Sequence, residues 1–168
     1  MRRTCLKFFS AAVFSFLPGS LFAQTPWPPK IDLTQPQGYV LKRVSSFDRS
    51  GGNADFREIA PGETLTLMDV DGPGALTHIW FTLWSREDYH LKKLVFRIYW
   101  DHEATPSVEA PLGDFFGLGL GDYHVWESEL LSVANERALN SFFPMPFPLA
   151  EQRIPRLQHT GGPGNSAH

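Results

Sequence analysis

Residues 75–84 constrain the fold more than any other stretch of the chain. Read as an extended strand, they put Ile79, Phe81 and Leu83 on one side and Leu76, Trp80 and Trp84 on the other. A strand that is apolar on both faces needs cover on both, so the chain must fold in layers around it. The neighbouring stretches alternate more simply. Residues 63–70 set Leu65 and Leu67 against Thr64 and Thr66. Residues 93–101 set Leu94, Phe96, Ile98 and Trp100 against Lys93, Val95, Arg97 and Tyr99. Residues 107–112 set Val108, Ala110 and Leu112 opposite Glu109. Turn formers such as Asp71-Gly72-Pro73-Gly74 separate these runs. Short alternating strands between turns predict an all-β protein, a jelly-roll-like β-sandwich. The 14 Gly and 14 Pro among 168 residues favour such short strands, and 14 Phe supply bulk for a core.

Other segments admit two readings. Residues 38–46 suit a strand or a short helix. Residues 127–139 place Leu130, Leu131, Ala134 and Ala138 near one helix face but could equally hold a strand. Residues 140–147 are aromatic and bounded by proline, as at an edge strand or a loop end. Residues 24–37, with Pro26, Pro28, Pro29 and Pro36, read as an extended lead-in. The β domain is expected over residues 38–147. Residues 148–168 show no strand alternation and read as a disordered tail.

The first 23 residues have the layout of a secretory signal, the alternative being an uncleaved amphipathic or core segment. Arg2, Arg3 and Lys7 precede an apolar run over 8–17, Pro18 and Gly19 break it, and Ala23 stands before a cleavage point at Gln24. The run is too short for a comfortable membrane span. The expectation is export, to the periplasm or beyond, with no membrane partner after cleavage. Removing 1–23 takes three basic residues with it, so 12 basic against 18 acidic residues leave a net charge of -6 in place of -3. An exported acidic chain without a basic stripe is a poor nucleic-acid binder. Cys5 is the only cysteine and leaves with the signal, which excludes disulfides and cysteine metal sites from the processed chain.

The loop over 48–55 is the best site candidate. Gly51 and Gly52 permit sharp backbone bends, Asp48, Asn53 and Asp55 offer acceptors, and Arg49 offers a fork of donors. Sugar hydroxyls call for such paired groups. The same residues would also serve an ordinary loop that caps its own amides. Glu109 and Asp114 form a second candidate, because retaining glycosidases need two carboxyl groups about 5–5.5 Å apart. Their plainer reading is a solvated carboxylate and a turn residue. His78, His90, His102 and His124 make no metal pattern and read as ordinary surface or core histidines, and no cofactor or metal is expected. Trp84 and Trp126, beside polar stretches, are weaker core candidates than Trp80 and Trp100. The glycines over 113–121 lack the spacing of a nucleotide loop and suit a tight β connection.

Several blocks in order carry a resemblance. They are residues 45–53 (Ser-Ser-Phe-Asp-Arg-Ser-Gly-Gly-Asn), Asp71-Gly72-Pro73-Gly74, Ile79-Trp80-Phe81, residues 97–101, residues 106–117 and Phe143-Pro144-Met145-Pro146-Phe147. From about Val44 to Phe147 the chain resembles the front part of glycoside hydrolase family 172, also known as domain of unknown function 2961. The resemblance implies two tandem jelly-roll domains, of which this chain holds an incomplete first one. It implies homotrimers or their multiples and cleavage of fructofuranosides or arabinofuranosides with retention by two glutamates. Those glutamates lie in the second half of full-length members, so no catalytic residue carries over. The substrate-binding candidates, read from the residues' own chemistry, are Asp48, Arg49, Asn53, Asp55 and Asp114. The implied partner is a furanoside glycan, with the chain inactive alone. After Phe147 the likeness breaks, as a frameshift or a divergent terminal segment would leave it. The rival expectation is a non-catalytic carbohydrate-binding β-sandwich.

Overall fold

The computed structural model describes residues 4–16, 34–36, 38–71, 73–100, 103–135, 137–147 and 152–160. The proline cluster over 26–29 and the expected cleavage point lie outside these residues. In chain order the elements are β1 (Thr4–Phe16), β2 (Tyr39–Ser45), β3 (Arg57–Ile59), β4 (Thr64–Val70) and β5 (Gly74–Trp84). A one-turn helix α1 (His90–Lys93) leads into β6 (Leu94–Ile98) and β7 (Val108–Pro111), followed by the short α2 (Leu112–Phe115). Then come β8 (Trp126–Glu127), β9 (Leu131–Ala134), β10 (Ala138–Ser141), β11 (Met145–Phe147) and β12 (Gln152–His159).

Two antiparallel sheets build the predicted all-β sandwich. One runs β2-β1-β5-β10-β9-β8, with β11 also on β5 and β3 also on β1, and the other runs β4-β12-β6-β7. Their inner faces meet through aromatic rings. Phe81 of β5 stands edge-on to Phe96 of β6 and to Phe116, each at 5.8 Å between centroids. Phe81, Phe96 and Phe116 are all buried. Each such ring contributes about 1.5–3 kcal/mol by leaving water. The alternation read from sequence is kept in β6, where Leu94, Phe96 and Ile98 are buried and Val95 and Arg97 are half-buried.

The two-faced strand is covered unevenly. Ile79, Phe81 and Leu83 are buried as expected, and so is Leu76 on the other face. Trp84 at the far end is 44% exposed, so cover on that face fails there. The open readings resolve toward strand. Residues 39–45 form β2, and Leu131–Ala134 pairs with Ala138–Ser141 as β9 and β10, with Val133 and Leu139 directly opposite each other and both buried. The expected strand over 107–112 ends at Pro111, and Leu112 buries itself in α2 instead.

The reading of residues 148–168 as a tail without strands needs correction. Gln152–His159 is β12, and it lies between β4 and β6. Its inward positions include Leu157 and His159, both fully buried, so a polar residue hides the alternation. Pro155 falls ahead of the part paired to β6, which begins at Arg156, so the strand tolerates a residue without an N–H. The last turn is pinned by Thr160, whose amide and hydroxyl both donate to the Lys93 carbonyl at 2.8 Å.

Thr4–Phe16, within the stretch read as a signal, forms β1. It pairs with β5 on one side and with β2 and β3 on the other. Among the described residues no helix is long and apolar enough to cross a membrane.

Candidate functional site

The uncovered end of β5 opens a small cleft. Leu83, Trp84, Ser85, His90, Tyr123 and Arg137 line a space of about 230 Å³. An adjoining recess of about 240 Å³ shares Leu83, Trp84 and Arg137 and adds Lys7 and Thr82. Pockets for drug-sized ligands hold roughly 300–1,000 Å³, so this space suits a single small ring.

Local backbone choices assemble the lining. Beyond β5, the Ser85 hydroxyl accepts from the Glu87 amide at 3.1 Å and turns the chain. Tyr89 takes the left-handed conformation at φ 56 as it enters α1, which aims His90 inward. Asn135 does the same at φ 47 in the β9–β10 turn, and the Arg137 amide closes that turn on the Asn135 carbonyl at 2.8 Å. Asparagine tolerates this region better than most residues.

His90 and Tyr123 form the polar centre. His90 Nδ1 lies 3.0 Å from the Glu87 carbonyl oxygen, and Nε2 lies 3.0 Å from the Tyr123 hydroxyl. A carbonyl only accepts, so Nδ1–H donates to it. In the neutral ring Nε2 then accepts from the Tyr123 hydroxyl. The ionisation tendencies agree. Burial holds the His90 imidazole below its ordinary value, and burial pushes the Tyr123 phenol up to about 12.

Beneath this centre lies a charged cluster. Lys93 Nζ donates to Glu87 Oε1 at 2.9 Å, and the buried His159 Nε2 lies 2.7 Å from Glu87 Oε2. Burial alone would raise the Glu87 carboxyl. The Lys93 hydrogen bond, together with the charges of His159 and Lys93, outweighs burial and holds it below the ordinary value. Glu87 is therefore an ionised anchor at neutral pH rather than a proton donor. At the cleft rim, the Arg86 guanidinium carbon sits 5.4 Å from the Trp84 ring centroid, a cation–π distance. An exposed indole with a guanidinium, a phenol and an imidazole nearby offers a ring-stacking face and hydrogen-bonding groups together.

The loop singled out from sequence is organised around itself. Asp48 Oδ1 accepts from the Ser50 hydroxyl at 2.7 Å and the Ser50 amide at 2.9 Å, and Oδ2 accepts from the Ala54 amide at 3.1 Å. Asp55 Oδ1 accepts from the Asp48 amide at 2.7 Å. The Ser50 hydrogen bonds, with that from Ala54, hold the Asp48 carboxyl below its ordinary value. A Cβ on Gly52 would fall 2.8 Å from Asp48 Oδ2, so a side chain there would displace that carboxylate from its position. Arg49 and the positive-φ Asn53 are exposed. Asp48 and Asp55 are thus brought together, chiefly to close the loop.

Asp114 stands apart from them on α2, paired with Lys92 at 2.5 Å. Glu109 on β7 pairs with Arg97 across the ladder. Among the described residues, no group of three or more His, Cys, Asp or Glu is gathered as metal ligands would be. His90 reads from sequence as an ordinary surface or core histidine, and Tyr123 and Arg137 escaped the sequence reading. All three are far apart in the chain, and no spacing rule connects a loop tyrosine to a histidine 33 residues before it.

Fold and cleft together describe a two-sheet all-β sandwich with a small polar and aromatic cleft at one sheet end. A family model described as GH172 domain-like matches residues 53–154. The match covers more than half of the chain, and the chain belongs to this family, which relates it to glycoside hydrolases. The match runs past Phe147 to residue 154, inside β12, further than the blocks read from sequence. No curated protein matches the chain.

Proposed function

We propose that the chain is an exported furanoside-recognising domain of the GH172 type, binding fructofuranosyl or arabinofuranosyl glycans. The family match over residues 53–154 carries this reading. The cleft supports it with a stacking face at Trp84 and with His90, Tyr123 and Arg137 as hydrogen-bonding groups. Arg49 and Asn53 extend the contact surface from the exposed loop, and Asp48 and Asp55 hold that loop in shape. Asp114 contributes through its pairing with Lys92. In this reading the parent enzyme hydrolyses with retention, and homotrimers form as the family resemblance implies.

The domain alone binds sugar and does not cleave it. Retaining hydrolysis needs one carboxyl that keeps its proton near neutral pH and a second that attacks. Glu87 and Asp48 are both held below the ordinary range, and Glu109 and Asp114 are each paired with a cation. For these four carboxylates that fits the second reading, a non-catalytic carbohydrate-binding sandwich, for the chain on its own. The test is to incubate the chain with chromogenic arabinofuranosides and fructofuranosides while titrating the matching oligosaccharides by NMR. Binding without turnover supports the proposal. Turnover refutes the binding-only part, and the absence of binding refutes the sugar reading.

A further inference from the structure

The position of β1 in the sheet has consequences for the segment read as a signal. β2 and β3 are each joined to the sheet through β1. β1 runs along β5 from Cys5 opposite Trp84 to Ser15 opposite Gly74. On its other side Phe16 faces Tyr39 and Phe9 faces Ser45, and Thr4 to Leu6 face Ile59 to Arg57. Leu6 is fully buried in the core cluster that also holds Ile59 and Leu83. Thr4 is fully buried as well, with its hydroxyl 3.1 Å from that of Ser85 at the cleft.

Of the strands around this position, β3 and β5 lie within the family match over 53–154, whereas β2 and residues 4–16 lie outside it. Without β1, β5 would present an open edge over 11 residues, and β2 would stand two strand spacings away, roughly 10 Å. An open edge of that length takes up an extended strand by main-chain pairing.

We propose that the gap between β5 and β2 is a strand-acceptor slot, and that its occupant in the unprocessed chain is the chain's own segment 4–16. The segment then has two exclusive fates. In the folded precursor it is the strand that closes the sheet. Once removed as a signal, it leaves β2 and β3 without their partner and the slot open. The second fate rests on the export reading, and the first does not.

The test uses the full chain, expressed without access to an export pathway. Hydrogen exchange read by mass spectrometry should show residues 5–16 protected to the same degree as β5. Exchange at the rate of an unstructured peptide would overturn the slot. A protease site placed within 17–33 supplies a second measurement. After cleavage of the folded protein, the N-terminal fragment should co-elute with the body in gel filtration and separate only in denaturant. Its release under native conditions would also overturn the proposal. The export reading is checked separately, by the N-terminus of protein recovered from an exporting host. A native Met1 there would refute export and leave the slot standing.

Discussion

His90 Nε2 accepts a hydrogen bond from the Tyr123 hydroxyl at 3.0 Å, and this contact joins α1 to the loop over 121–125 at the mouth of the cleft. Protonating His90 would reverse this hydrogen bond and ionising Tyr123 would remove its donor, and burial disfavours both charges. The cleft is therefore organised for neutral pH.

The first prediction concerns Tyr123. Its folded value is raised from 10.0 to about 12. Its contribution to stability is therefore complete below pH 10 and lost as pH rises from 10 toward 12. Urea midpoints measured between pH 9 and 12 should fall, and the fall should be shallower in Tyr123→Phe. A spectrophotometric titration of the folded protein should show a phenol, absent in the variant, ionising near pH 12.

His90 has the opposite pH window. Its folded value is lowered from 6.5, so its contribution is complete above pH 6.5 and declines as pH falls below that toward the lowered value. The NMR shift of its ring protons should titrate with a midpoint below 6.5. A histidine titrating at its ordinary value would contradict the buried network.

Glu87 sets a third window at lower pH. Its folded value lies below 4.5, so its stabilisation is present above pH 4.5 and lost as pH falls through the folded value. Glu87→Gln should cost about 1–3 kcal/mol at pH 7, because Lys93 and His159 lose a charged partner. The difference between wild type and variant should shrink toward pH 3 in matched denaturation curves.

Gly117 carries a backbone prediction. It sits at φ 75, and the Trp126 indole occupies the space a Cβ would take. The indole also donates to the Phe116 carbonyl at 3.2 Å. Gly117→Ala should destabilise the protein by about 1–3 kcal/mol and shift Trp126 fluorescence, since both strain and displacement act there.

The architecture was legible where side chains alternate cleanly. Leu94, Phe96 and Ile98 show their inward face in the residue types themselves, and the two-faced run ending at Trp84 announced a layered fold. Residues 131–141 were ambiguous, because leucine and alanine serve helix and strand alike. β12 was hidden because its inward residue His159 is polar and Pro155 interrupts it. The loop over 48–55 was legible as a built loop, but its carboxylates could not be assigned to sugar or to backbone by type alone. The cleft was out of reach, since His90, Tyr123 and Arg137 meet through tertiary packing and through Tyr89 and Asn135 in left-handed conformations.

The central claim is that this chain recognises furanosides at the cleft, and the most direct measurement is an NMR titration of the full chain with arabinofuranosyl and fructofuranosyl oligosaccharides, repeated with Trp84→Ala. The account predicts weak binding, with Kd near 1 mM, or about -4 kcal/mol, shifts centred on Trp84, Tyr123 and Arg137, and at least a several-fold loss in the variant. No binding, or binding that Trp84→Ala leaves unchanged, would contradict it.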